Sequence, residues 1–190
     1  MMITLIAGLL LFLGIHSVSI ADANWRDRCE ARLGEKAWKG LYSLISAVGL
    51  ALIIIGYGQA RLDPQILFYP PSWLRHITLL VLLPVFPLFL ATYLPGWIKS
   101  KIKHPTLIAT LLWALGHLMA NGGLHDLLLF GSFLAWAVAD RLSMMKRSQR
   151  PLPGAPLSSF NDIIAVVVGL GLYLLFIGTL HRWLIGIAPI

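Results

Sequence analysis

With 58% hydrophobic and only 12% charged residues among 190, and a mean hydropathy of +0.80, the chain is too apolar for a soluble domain of its length and reads as an integral membrane protein. Its net charge of +7 falls in clusters between long uncharged runs, which marks topology and attraction to anionic lipid and leaves nucleic acid uninvoked. The single cysteine, Cys29, excludes an internal disulfide, and no Cys-x-x-Cys-His is present to attach a haem covalently.

Apolar runs long enough to cross about 30 Å of hydrocarbon lie near 2–20, 41–58, 74–94, 105–120, 124–139 and 162–184. The expected fold is therefore all-α, a bundle of about six transmembrane helices in one membrane domain, 1–190. The first run lacks a basic n-region and a small-residue cleavage site, so it is kept as a span and not as a signal peptide. Segment 21–40, with Trp25 and Trp38, is expected to form an interfacial amphipathic helix. Pro84 and Pro87 should kink the third span, since each removes a backbone donor and crowds the preceding turn. Asn121, Gly122 and Gly123 are all that join the fourth and fifth spans, which predicts a tight helical hairpin with the glycines providing the reversal. Segment 143–159, rich in Pro and Ser, is expected to be mobile.

Basic residues cluster at 26–39, 99–103 and 141–150, leaving only Arg61, Arg75 and Arg182 on the other side. Lys and Arg are retained on the cytoplasmic side. Both termini are thus expected outside, in the periplasm if the protein sits in the inner membrane of a Gram-negative cell.

Two histidines interrupt otherwise clean spans. His16 closes the first apolar run and His117 lies in the fourth. An imidazole in a bilayer is costly without a partner, and neutral imidazole is a good ligand for iron, copper or zinc. Zinc wants three or four ligands from Cys, His and Asp/Glu, which the spans do not offer. Two imidazoles on different helices with aromatic neighbours suit a b-type haem better. Trp113, one turn before His117, and Gly116 beside it fit a face that packs on a flat ligand. The competing reading satisfies both rings by contacts with neighbouring helices, His16 by a hydrogen bond to Ser17, Ser19 or a loop carbonyl.

On ideal helices His16 and His117 differ in depth by roughly 12 Å. His104, nearer in depth to His16, is the alternate second ligand. The His104-Pro105 pair otherwise marks a helix start. Arg26, Arg28 and Lys103 are placed by their charge to meet haem propionates. His76, His125 and His181 lie near the outer surface and receive no role.

Several separated motifs occur together in one order. They are His16-Ser17; the run Leu33-Gly34-Glu35-Lys36-Ala37-Trp38-Lys39-Gly40-Leu41-Tyr42-Ser43; Lys103-His104-Pro105; Trp113-Ala114-Leu115-Gly116-His117-Leu118; Asn121-Gly122; and Leu129-Phe130-Gly131-Ser132. With these the chain resembles the NnrU family over nearly its whole length. The resemblance implies a link to denitrification and to nitrite and nitric oxide reductase systems as partners. It also implies kinship with 15-cis-ζ-carotene isomerase, a membrane enzyme dependent on haem b, whose two ligand histidines match His16 and His117. Ala114 stands where that isomerase has a cysteine tied to a redox-linked ligand change, so the same ligand exchange has no thiol here.

Three functions follow as alternatives. A haem-b membrane protein of nitrogen-oxide metabolism uses both histidines and the resemblance together. A haem-dependent isomerase of a lipophilic polyene is the second, and a non-catalytic assembly or transport partner the third. A looser likeness to isoprenylcysteine-type membrane methyltransferases rests on Lys103-His104-Pro105 alone, without their cofactor motif.

Overall fold

Small residues set how the first helices meet. Helix α1 (Met2–Ala21) and helix α3 (Glu35–Ala60) touch through Gly8, Gly49 and Gly56. A Cβ on Gly8 would lie 2.6 Å from the backbone nitrogen of Ile53, one on Gly49 2.7 Å from that of Phe12, and one on Gly56 would run into the backbone of Leu5. In lipid, burying apolar surface gives helices no drive to associate, so close backbone approach through small residues does it instead. Leu5, Leu9 and Ile53 fill the seam and are buried. The structure, a computed structural model, describes residues 2–147, 150 and 152–189.

Between these helices in the chain lies α2 (Ala23–Leu33). It opens on Asp22, whose carboxylate accepts from the Trp25 N–H at 2.9 Å, and it closes at Gly34, where φ is +82°. That left-handed residue, at which glycine carries no Cβ penalty, ends the helix. The interfacial helix expected over 21–40 is therefore interrupted. Trp25 stays exposed in α2, whereas Trp38 belongs to α3 and is buried, with the Arg26 guanidinium 5.8 Å above its ring.

Helix α8 (Leu124–Met144) completes a first unit, Met1–Tyr69 with Asn121–Ser148, by packing on α1. Phe12 and Phe133 meet there with ring centroids 5.8 Å apart. Near the end of α8 the buried Asp140 accepts from Arg147 at 2.5 Å.

The second unit is Pro70–Ala120 with Gln149–Ile190. It holds α4 (Leu74–Leu82), α5 (Val85–Tyr93), α6 (Trp97–Ile102), α7 (Pro105–Ala120) and α9 (Asn161–Leu175), which continues through a π-helical stretch (Phe176–Leu180) into α10 (His181–Ile185). Of the two prolines in the third span, Pro84 makes the break, because it sits between α4 and α5 without an N–H to extend the ladder. Pro87 lies in the first turn of α5, where a missing donor costs nothing. Its role is contact, since a Cβ on Gly169 of α9 would sit 2.5 Å from its nitrogen. Tyr173 of α9 donates its hydroxyl to the Leu79 carbonyl at 2.7 Å, one turn before the break.

Tyr173→Phe is accordingly expected to destabilise the protein by about 1 kcal/mol, the usual net worth of one such hydrogen bond. Tyr69→Phe, at a site 85% exposed, should leave the unfolding midpoint unchanged. Equal midpoints for both variants in a denaturant titration would count against the contact.

The start of α9 grips the segment before α6. Asp162 accepts from the Trp97 and Ile98 N–H groups at 2.7 and 3.0 Å, which satisfies donors that open α6. Asn161 donates to the Pro95 and Pro156 carbonyls at 2.8 and 2.9 Å.

Among the described residues, five stretches are long and apolar enough to cross a membrane: Met2–Ala21, Glu35–Ala60, Leu74–Tyr93, Leu124–Met144 and Asn161–Ile185, with Pro105–Ala120 a shorter sixth. Leu10, Leu44, Ile54, Val167 and Leu174 on these helices are each more than 60% exposed. So much exposed aliphatic surface is tolerable against lipid and not against water. The protein is an all-α, multi-pass membrane protein, and among the described residues no strand occurs beyond one isolated pair, Ile66 with Gly123.

Candidate functional site

His16 lies in the last turns of α1, half-buried in the first unit. Its Nδ1 contacts the Phe12 carbonyl at 2.6 Å. A carbonyl oxygen can only accept, so Nδ1 carries the proton and the neutral ring has its lone pair on Nε2. Aromatic rings surround it. Phe12 stacks at a centroid distance of 4.3 Å, and Tyr42 of α3 and Trp136 of α8 approach at 5.1 and 6.1 Å, edge to face. The indole N–H of Trp136 is buried and has no acceptor among the described residues.

His117 repeats the local device in the second unit. Its Nδ1 donates to the Trp113 carbonyl one turn back at 2.8 Å, and the Trp113 ring lies 5.3 Å from its own. Gly116 is taken up by α4: the Leu82 side chain fills the place of its Cβ, and Thr78 donates to its carbonyl at 3.2 Å. That close approach serves helix packing within the second unit. Ala114 is fully buried.

His104 sits just before α7, where its carbonyl accepts from the Leu107 N–H at 3.1 Å and Pro105 takes the first helical position. Lys103, which ends α6, has φ 65°, and the His104 N–H closes a tight turn on the Ile102 carbonyl at 2.8 Å. Arg26 pairs with Asp27 at 3.1 Å and with Glu30, and Arg28 pairs with Asp22 at 3.4 Å. Each guanidinium thus has carboxylate partners on or beside its own helix. Among the described residues no group of three or more His, Cys, Asp or Glu could hold a metal ion. Haem, which needs only one or two imidazoles, is the metal group these side chains fit.

A second cluster is not anticipated from the sequence. Tyr57 near the end of α3 donates to Asp126 Oδ1 at 2.6 Å, and Gly123 N–H donates to Asp126 Oδ2 at 3.0 Å. His125 places Nε2 3.5 Å from the same carboxylate, and Tyr57 packs on its ring at 5.2 Å. His125 and Asp126 are each only 5% exposed, so His125 is no surface ring. The signal available was the carboxylate beside it, inside an apolar run, which demands partners.

The turn that carries this cluster differs from a glycine reversal. Gly123 has φ −84°, open to any residue, and its use is space: a Cβ there would lie 2.5 Å from His125 Cε1. The turn is pinned by the 65–68 segment, with Leu67 N–H donating to the Gly122 carbonyl and Leu124 N–H to the Gln65 carbonyl, both at 2.8 Å.

No curated protein and no solved structure matches the chain. The family described as NnrU protein matches residues 4–189. With that match running from the first turn of α1 to beyond α10, the chain belongs to the NnrU family.

Proposed function

We propose that the protein binds haem b, with His16 and His117 its candidate ligands, and serves nitrogen-oxide metabolism in the cytoplasmic membrane beside a nitrite or nitric oxide reductase system. The observation that carries the reading is the setting of His16. A ligand imidazole has one nitrogen fixed by a hydrogen bond that sets its tautomer and orientation. The Phe12 carbonyl supplies that bond, and the same i−4 device recurs at His117 with Trp113. Phe12, Tyr42 and Trp136 surround His16 with flat, apolar rings, and the buried Trp136 N–H has no acceptor among the described residues.

When bound, haem supplies an iron centre able to coordinate a nitrogen oxide or pass an electron. The chain's residues orient the imidazoles through the Phe12 and Trp113 carbonyls. The basic clusters at 26–39, 99–103 and 141–150 support a cytoplasmic placing of those loops and both termini outside. The nitrogen-oxide role rests on family membership.

A pyridine haemochrome spectrum of protein purified from haem-sufficient cells tests the reading. Haem b at about one per chain is expected. A folded, colourless preparation overturns it.

A further inference from the structure

We propose that the cavity between the ends of α1 and α8 is a binding site for a phosphate oxyanion, held by Lys146, Arg147 and the Ser143 hydroxyl. The cavity measures about 370 Å3 and is lined by Ser19 and Ile20 of α1 and by Leu142, Ser143, Lys146 and Arg147 at and just beyond the end of α8. It lies wholly in the first unit and does not rest on haem.

Helical spacing gathers the polar lining. Lys146 and Arg147 follow Ser143 by three and four residues, and their backbone N–H groups both donate to the Ser143 carbonyl, at 2.9 and 3.1 Å, so the turn winds on past Met144 with the three side chains on one side. The Arg147 side chain is only 15% exposed, and its guanidinium is anchored by donating to the buried Asp140 at 2.5 Å. A guanidinium has five N–H donors, more than one carboxylate oxygen can use. Lys146 is exposed and adds an ammonium. No lining residue is acidic. An ammonium, a guanidinium held in place and hydroxyls make a donor set suited to the several acceptor oxygens of a phosphate.

The position agrees with that chemistry. Two spans, Met2–Ala21 and Leu124–Met144, end at this cavity, at the level where a bilayer carries its headgroups. Leu142 and Met145, 57% and 75% exposed on the same turn, offer apolar surface to an acyl chain. Basic pockets between membrane helices take anionic headgroups in this way.

The full-length chain, purified in a neutral detergent, is titrated with phosphatidylglycerol and separately with inorganic phosphate, and bound molecules are counted by native mass spectrometry. One tightly held phosphatidylglycerol per chain is expected. Lys146→Gln should weaken it about fivefold, the effect of one basic side chain at a membrane surface. Ser143→Leu, which fills the cavity without changing charge, should weaken it as well. Lys36→Gln, which removes an equal charge from an exposed site on α3, should not. Displacement of the lipid by millimolar inorganic phosphate would support the same site with phosphate drawn from water, and retention of the lipid would assign it to the headgroup. Wild-type binding in both Lys146→Gln and Ser143→Leu overturns the proposal, as does an equal loss in Lys36→Gln.

Discussion

Gly56→Leu is expected to part α1 from α3 and to cost the first unit most of its stability. The obstacle to the new side chain is the backbone of Leu5 and Thr4, not the flexible tip of a neighbour, so a rotamer change cannot absorb it. Overpacking a tight site costs about 1–3 kcal/mol where the surroundings can yield and more where they cannot. Here a whole helix must move, and the contacts at Gly8 and Gly49 go with it because they lie on the same seam. Gly58→Leu is the control, since a Cβ there meets nothing within 4 Å. The loss of folded protein in a detergent-denaturation titration should be confined to the Gly56 variant. Equal midpoints for the two would refute this account of the seam.

His16→Ala is expected to lower haem affinity by more than about 100-fold, beyond the 10–100-fold typical of losing a group that only orients a ligand. It removes an imidazole whose tautomer is already fixed by the Phe12 carbonyl, and no other histidine lies within a turn of it on α1. The fold should survive, because the rings that contact His16 are only partly enclosed and Phe12 also packs on Phe133. Absorbance of the purified variant, together with its unfolding midpoint, separates the two effects. Native haem content in His16→Ala removes His16 from the ligand pair.

The apolar runs made the class and the approximate helix count legible, because a span is a local property of some twenty consecutive residues. Pro84 as the break was legible for the same reason, as its missing N–H acts within one turn. Pro87 was not, since its contact with Gly169 joins residues far apart in sequence. Trp38 was misplaced because the start of α3 depends on a left-handed Gly34, and a glycine alone does not announce its φ. The His16 and His117 rings stood out as polar groups in lipid, yet their shared carbonyl contacts are matters of rotamer. His125 is not legible in the sequence, because its setting comes from Tyr57, brought to Asp126 only by the folding of α3 against the turn before α8.

The two units interleave along the chain. The first is built from Met1–Tyr69 and Asn121–Ser148, the second from Pro70–Ala120 and Gln149–Ile190. During synthesis α1 and α3 can find each other early, since few residues separate them. The first unit must then wait for α8 while most of the second is made, and the second closes only when α9 arrives. Assembly is thus governed by late, long-range docking. No single cut yields either unit as a continuous fragment, so damage to α8 or α9 leaves an already inserted chain with an unfilled helix seat open to lipid.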